Sequence, residues 1–240
     1  MNLLALDTST ESCSAALAVD GKIIERYELA PRRHAELILP MIDELLREAG
    51  VTLRDLDALA FGRGPGAFTG VRIATGVIQG LAFGAEKPVV PISSLAALAQ
   101  GVAAGRPPHT LIMSAFDARM GEVYWGVYRV GEDGMVSLVG EEQVAKPEKI
   151  KIGDTHYLPN RIGEKIGDTH YLPNRIGVGS GWQIYESALR ARCGGQIEVI
   201  QDRYPHARDV LTLAQRDFAA GLAVPAEEAQ PVYLRNKVTG

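Results

Sequence analysis

Two aspartates stand where an apolar run hands over to a turn: Asp7 in Ala5-Leu6-Asp7 and Asp117 in Ala115-Phe116-Asp117. Carboxylates at such strand ends suit a hydrated Mg²⁺ beside a nucleotide, and equally suit a turn in which the side chain caps its own backbone. Gly62-Arg63-Gly64-Pro65-Gly66-Ala67 follows another apolar run and matches the pattern GxGxxG/A. Backbone N–H groups of such a turn, opening into a helix, can cradle a phosphate around Gly64 and Gly66, and the same glycines also serve a purely structural turn. No Gly-Lys-Ser/Thr follows, so this is not a Walker A loop, and Glu86 precedes the next strand, out of reach of a ribose. Asp7, Gly64 and Gly66 are the candidate cofactor-binding residues.

Spacing disfavours the other chemistries. The five histidines (His34, His109, His156, His170 and His206) form no HxxH, HxxxH or HExxH pattern, and Cys13 and Cys193 form no CxxC. There is no GxSxG elbow, and Ser93-Ser94 after a strand reads as a helix N-cap. Gly76, Gly80 and Gly84 recur every four residues in the helix after the glycine turn, with Gly84 expected as the left-handed residue just past its end. Each interior helical glycine costs about 1 kcal/mol relative to alanine. Their shared face admits another backbone, either the domain's own sheet or a second subunit.

The elements that must position these residues read as an α/β chain. Residues 3–6, 13–19 and 23–29 form a β-meander, and 33–49 switch to helical period with Ile38, Met41, Ile42, Leu45 and Ala49 on one face. Pro40 is expected to kink that helix or to confine its regular part to the residues beyond it. Strands at 56–61 and 89–92 bracket the glycine helix, and 94–103 is helical. The second half repeats the opening, with strands at 111–116 and 123–130, so two related β-meander lobes are expected, divided as 1–106 and 107–240. Residues 178–182 read as a strand end and turn, followed by helices at 183–192 and 210–220.

At 240 residues and 46% apolar content the chain has material for one large domain or two small ones. Its net charge of −4 disfavours a bulk field for polyanions, so contact with nucleic acid is expected through a partner. With no secretory leader and no long apolar run, a reduced, cytoplasmic location is expected. KIGDTHYLPNRIG occurs twice without change, at 151–163 and 165–177. Divergence leaves no such identity, so 151–177 is expected to be a tolerant loop holding a recent or artificial duplication. Its doubled Asp154, His156, Asp168 and His170 have nothing to pre-organise them for a metal.

LALDTSTESCSAAL, HAELILPMIDELL, GRGPGAFTGVRIATGVIQGLAFG, FDARMGEVYWGVY, VGSGW and PVYLRNKV together resemble the bacterial TsaB family, also called YeaZ, over nearly the whole chain. The resemblance implies an actin-like, Hsp70-like ATPase (ASKHA) fold in two lobes. It implies a scaffold without catalytic residues of its own, which holds the related enzyme TsaD competent while TsaE docks on the pair. The product is threonylcarbamoyladenosine next to the anticodon of ANN-reading tRNAs. Nucleotide (ATP or ADP) and Mg²⁺ then belong to the complex and not to the isolated chain, tRNA is met only through the complex, and no membrane is involved. An autonomous sugar-kinase-like ATPase and a metallopeptidase are the competing readings, testable by nucleotide titration and by zinc-dependent proteolysis. The partner surface, for TsaD or for a homodimer, is expected on Leu37, Met41 and Leu45 of the first helix and Arg72, Ile73, Gly76, Val77 and Gly80 of the second.

Overall fold

The computed structural model describes residues 1–152 and 174–235. The chain forms two compact units, Met1–Gly101 with the chain from Tyr204 onward, and Val102–Arg203. The first unit is built on a five-stranded sheet of β1 (Leu3–Asp7), β2 (Ser12–Val19), β3 (Lys22–Leu29), β4 (Ala58–Gly62) and β5 (Val89–Ile92), in the order β3-β2-β1-β4-β5. β1, β2 and β3 form the expected antiparallel meander, and β4 and β5 add in parallel. All five residues of β1 are buried, which explains why it reads as an unbroken apolar run and not as an alternation.

Helices α1 (His34–Ala49), α2 (Phe68–Ala85) and α3 (Ser94–Ala103) belong to the same half of the chain. One apolar cluster joins Leu4, Leu6 and Phe61 of the sheet to Ile38, Ile42 and Leu45 of α1 and Ala74 and Ile78 of α2. α1 runs through Pro40 without a break and closes on Gly50, which takes the left-handed conformation. The regular helix is therefore not confined to the residues beyond Pro40, and Pro40 and Glu36, whose carbonyl loses its donor, both lie on the exposed side. Ser93 caps α3 by accepting the Ala96 N–H at 3.3 Å.

The second unit repeats the first. β6 (Leu111–Asp117), β7 (Val123–Val130), β8 (Val136–Ala145), β9 (Arg175–Val178) and β10 (Glu198–Ile200) are ordered β8-β7-β6-β9-β10, the same plan strand for strand. Two related α/β lobes are therefore present as expected. β8 and β10 are strands that the sequence reading lacked. β8 carries Gly140-Glu141-Glu142 in its middle on a sheet edge, and β10 is too short for any period to show. The core of this unit gathers Met113, Ala115, Trp125, Ile150, Trp182 and Leu189. α4 (Ser180–Cys193) starts three residues before the expected helix, so Gly181 and Trp182 are its first turn and not a loop. Trp182 Nε1 donates to Met113 O at 2.7 Å, and its indole covers Gly177 so closely that a Cβ there would sit 2.6 Å from the ring.

The division at 106/107 is corrected in one respect: α5 (Ala207–Ala219) returns to the first sheet, packing on β1, β2, β4 and β5. Two buried serines of β2 draw it there. Ser12 Oγ donates to Pro205 O at 3.2 Å, and Ser14 Oγ accepts the Ala207 N–H at 2.9 Å. Glu25 of β3 accepts the Arg208 N–H at 3.2 Å, and the His206 ring stacks on Tyr27 with centroids 4.0 Å apart. A buried hydroxyl without a partner is costly, so these serines favour this return over any arrangement that leaves them bare.

The expectation of a loop over 151–177 is also corrected at its ends. Arg175, Ile176 and Gly177, which close the second copy, form β9 beside β6, with Ile176 fully buried. Lys151, which opens the first copy, holds Gln143 through two hydrogen bonds of 2.8 Å. Asp154, His156, Asp168 and His170 lie outside the described residues. Removing residues 151–164 leaves a chain in which Lys165 and Ile166 replace Lys151 and Ile152, and β9 is untouched. Shortening a connection by fourteen residues changes closure entropy by about 1 kcal/mol. The deletion variant is expected to melt within a few degrees of the parent by calorimetry, and a chain that no longer folds would show that both copies are structural.

Candidate functional site

The strand-end aspartates are turn formers in both units. Asp7 Oδ1 accepts the Ser9 N–H and the Ser9 hydroxyl, both at 2.8 Å, and Oδ2 accepts the Ser94 hydroxyl at 3.2 Å. Asp117 Oδ1 accepts the Arg119 N–H at 2.9 Å, the same i to i+2 bond at the same place in the second sheet. Asp7 is fully buried, and burial raises its carboxyl above the ordinary range against the opposing pull of the Ser9 and Ser94 bonds. Asp117 keeps part of its surface open, pairs with the Arg119 guanidinium at 3.1 Å and accepts from Tyr185 Oη at 3.3 Å.

Four glycines around the turn are spent on close approach to this corner. A Cβ on Gly62 would meet Asp7 Oδ2 at 1.8 Å, one on Gly66 would meet Ser9 O at 2.3 Å, and one on Gly70 would meet Thr8 O at 2.0 Å. Gly64, with φ of +91°, has Val232 O only 3.2 Å from where its Cβ would be. Hydrogen bonds seal the junction: Ala67 N–H to Ser9 O at 2.7 Å, Thr8 Oγ1 to Gly70 O at 2.7 Å, and Val232 N–H to Arg63 O at 2.8 Å. Asp7 is thus held by Ser9 and Ser94 and abuts Gly62, while Gly66 abuts Ser9 and Gly64 abuts Val232. Asp7, fully buried and hydrogen-bonded at both oxygens, does not fit an open Mg²⁺ ligand in this arrangement. Burial also pushes the Cys13 thiol up to about 12 and that of Cys193 up to about 11, so neither is a thiolate near neutral pH. Among the described residues, no group of three or more His, Cys, Asp or Glu side chains is placed to hold a metal ion.

The glycines further along α2 behave in the opposite way. At Gly76, Gly80 and Gly84 a Cβ would find nothing within 4 Å, and all three are exposed. Packing of this face onto the unit's own sheet is thereby ruled out. Gly84 lies inside the helix, and the left-handed cap is Glu86. Gly80 and Gly84 form one wall of a surface groove closed on the other side by Asp43, Leu46 and Arg47 of α1. Phe83, beside them, is 79% exposed.

Of the residues expected at a partner surface, Arg72, Gly76 and Gly80 are exposed, and Leu37, Ile73 and Val77 are half-buried at the margin of the core. Met41 and Leu45 are corrected: at 8% and 0% exposure they face the sheet and belong to the core cluster. α1 instead shows its surplus apolar side chain at Leu39, which is 49% exposed. Phe68, Phe83 and Tyr233 were not singled out from sequence. Isolated aromatics in a helix or a tail carry no period that separates exposed from buried.

The two glycine sets predict opposite responses. Gly66→Ala is expected to cost about 2 kcal/mol or more in chemical denaturation, because backbone must move, whereas Gly76→Ala is expected to stabilise by about 0.5–1 kcal/mol through helix propensity. Asp7 supplies a test in pH. Its raised folded value means that the protonated form contributes stability below about pH 3.8, the ordinary value, and that this is lost as pH rises through the folded value. The advantage of Asp7→Asn over the parent is therefore expected to grow between pH 4 and pH 7 in thermal melts, and an advantage independent of pH would contradict the assignment.

Comparison with known proteins shows the family. The family profile described as TsaD, tRNA N6-adenosine threonylcarbamoyltransferase, matches residues 23–239. The tRNA threonylcarbamoyladenosine biosynthesis protein TsaB of Escherichia coli K12 is 44% identical over 243 aligned residues, covering 99% of this chain and 96% of that protein. A solved structure of YeaZ from Pseudomonas aeruginosa is 44% identical and superposes with a TM-score of 0.79, over 97% of this chain and 99% of the other. A tRNA N6-adenosine threonylcarbamoyltransferase of Prosthecochloris aestuarii shares 32% identity over 112 residues, covering 40% of this chain and 32% of its own length. On these full-length likenesses, the chain belongs to the TsaB (YeaZ) family of tRNA threonylcarbamoyladenosine biosynthesis proteins.

Proposed function

We propose that this chain is the non-catalytic scaffold subunit of tRNA threonylcarbamoyladenosine formation at the adenosine beside the anticodon of ANN-reading tRNAs. It acts in the cytoplasm by binding TsaD and holding it competent, and TsaE docks on the pair. In isolation the same surface closes a homodimer, so the homodimer and the TsaD heterodimer exclude each other. Nucleotide and Mg²⁺ enter at the level of the complex, and tRNA is met there too.

The bare glycine row of α2 carries this reading. Three interior glycines cost the helix about 3 kcal/mol in propensity relative to alanine, and none of the described residues comes within 4 Å of where their Cβ atoms would be. A row of small residues beside an exposed phenylalanine suits a partner helix at short interaxial distance. The burial of Asp7, with both oxygens taken by Ser9 and Ser94, supports the scaffold reading over an autonomous ATPase. The likeness to threonylcarbamoyltransferases over part of the chain supports a partner of the same descent.

Reconstitution tests the proposal. The purified chain alone is expected to form no threonylcarbamoyladenosine and to hydrolyse ATP at background rates, and addition of the other subunits is expected to restore synthesis. At Gly80 a Cβ meets nothing within 4 Å, whereas Gly80→Leu holds the partner's backbone away, so it is expected to weaken TsaD association by about 2 kcal/mol or more with helicity unchanged by circular dichroism. Turnover by the chain alone, abolished by Asp7→Ala, would overturn the reading.

A further inference from the structure

A sheet edge is a row of backbone donors and acceptors open to a further strand. Among the described residues the edge strands are β3 and β5 in the first unit and β8 and β10 in the second. Three of them carry charge: Lys22, Glu25, Arg26 and Glu28 in β3, Glu141 and Glu142 in β8, and Glu198 in β10. Charged side chains on an edge strand oppose its pairing with another chain. β5 reads Val-Val-Pro-Ile and has none. It is closed by other means.

Leu59 N–H donates to Pro88 O at 3.0 Å and Arg63 N–H to Ile92 O at 2.8 Å, so alternate residues of β5 turn their backbone groups toward β4, and Val89 and Pro91 turn theirs outward. Val89 is met from outside by Val224: each donates its N–H to the other's carbonyl at 2.8 Å, in an isolated antiparallel bridge. Pro91 has no N–H to offer. The bridge ends there, because the next hydrogen-bonded pair would set Leu222 against Pro91, and the Leu222 N–H is already committed to Asp217 O at 3.0 Å. Pro225 follows Val224, holds it extended and adds no donor on the outer side. Beyond it Ala226 and Ala229 join the core cluster, Gln79 Nε2 donates to Ala229 O at 3.0 Å, and Val232 N–H donates to Arg63 O at 2.8 Å. The chain from Gly221 to Val232 is thus a strap pinned along the first unit.

We propose that the β5 edge is a strand-accepting surface that Val224 and Pro91 together keep shut against β5 of a second copy of this chain. Each closes the outward position that the other leaves: Val224 takes the Val89 donor, and the proline ring removes the donor at residue 91. With both positions open, residues 88–93 would read as an uncharged run of β-branched side chains, the composition in which identical strands pair with one another. That self-pairing makes a second copy the occupant. The strap therefore has a task apart from packing, which is to end the first sheet at β5.

Amide exchange of the full chain, with light scattering of Val224→Pro, Pro91→Val and the double variant below their melting temperatures, tests this. In the parent the Val89 and Val224 amides are expected to open together, with protection within about threefold of each other, since one bridge holds both. Val224 already precedes a proline, so Val224→Pro removes its donor with little change of backbone, and it is expected to speed Val89 exchange about tenfold or more. Each single variant is expected to stay at the parent's size. The double variant, with parental circular dichroism, is expected to associate about tenfold faster than the parent at equal concentration, with the Val89 amide slow again in the associated material. A slow Val89 amide in folded Val224→Pro, a double variant that keeps the parent's size, or association that leaves Val89 fast would each overturn the proposal. Should the variants not fold, the parent decides, and opening of Val89 and Val224 more than about tenfold apart would show that the strap does not close this edge.

Discussion

The corner at which α2 leaves β4 is the constraint on which the first unit depends. A helix start is pressed against the Asp7–Ser9 turn so closely that Gly62, Gly66 and Gly70 have no room for a Cβ. The fully buried Asp7 carboxylate is tolerable only because it accepts bonds from Ser9 and Ser94. Those bonds tie the end of β1 to the start of α3, and the glycines bring α2 onto the same point. The direction of α2, and therefore of everything it shows to solvent, is set there.

The same helix then uses glycine for the opposite purpose. Its first glycine is filled by the unit's own backbone at Thr8, whereas the later three face open space. A chain optimised only for its own stability replaces those three with alanine, because propensity favours alanine and no steric contact forbids it. Their presence is intelligible as the cost of an external surface. The groove walled by α1 and the C-terminal segment along α2 border that surface on its two sides.

The second unit shows how one plan serves different ends. Its sheet has the same strand order and its Asp117 makes the same i to i+2 turn, but its core is organised around Trp125 and Trp182, whose rings lie 6.0 Å apart. Glycine there makes room for an indole at Gly177 where the first unit makes room for backbone. Asp117 also remains partly open and paired with Arg119, while Asp7 is sealed. Shared topology has thus not preserved a shared site.

The sequence by itself determined the elements with a strong period or a clean run. β5, α3 and β7 lie where the apolar pattern and its Pro and Gly boundaries place them, and the paired Ala-x-Asp strand ends announced the repeated lobes. It also marked both glycine sets, since glycine in a helix interior is costly wherever it occurs. Tertiary structure decided which glycines were filled and which were bare, because a missing Cβ has the same appearance in sequence whether backbone, solvent or a partner occupies its place. It decided that Met41 and Leu45 are core and Leu39 is surface, since helical period gives the angle between residues but not which angle faces the sheet. It decided the return of α5 to the first sheet through Ser12 and Ser14, two hydroxyls whose partners lie at a distance along the chain that no local pattern encodes. And it brought Tyr233 onto Arg72 across 161 residues of sequence, a contact made by packing alone.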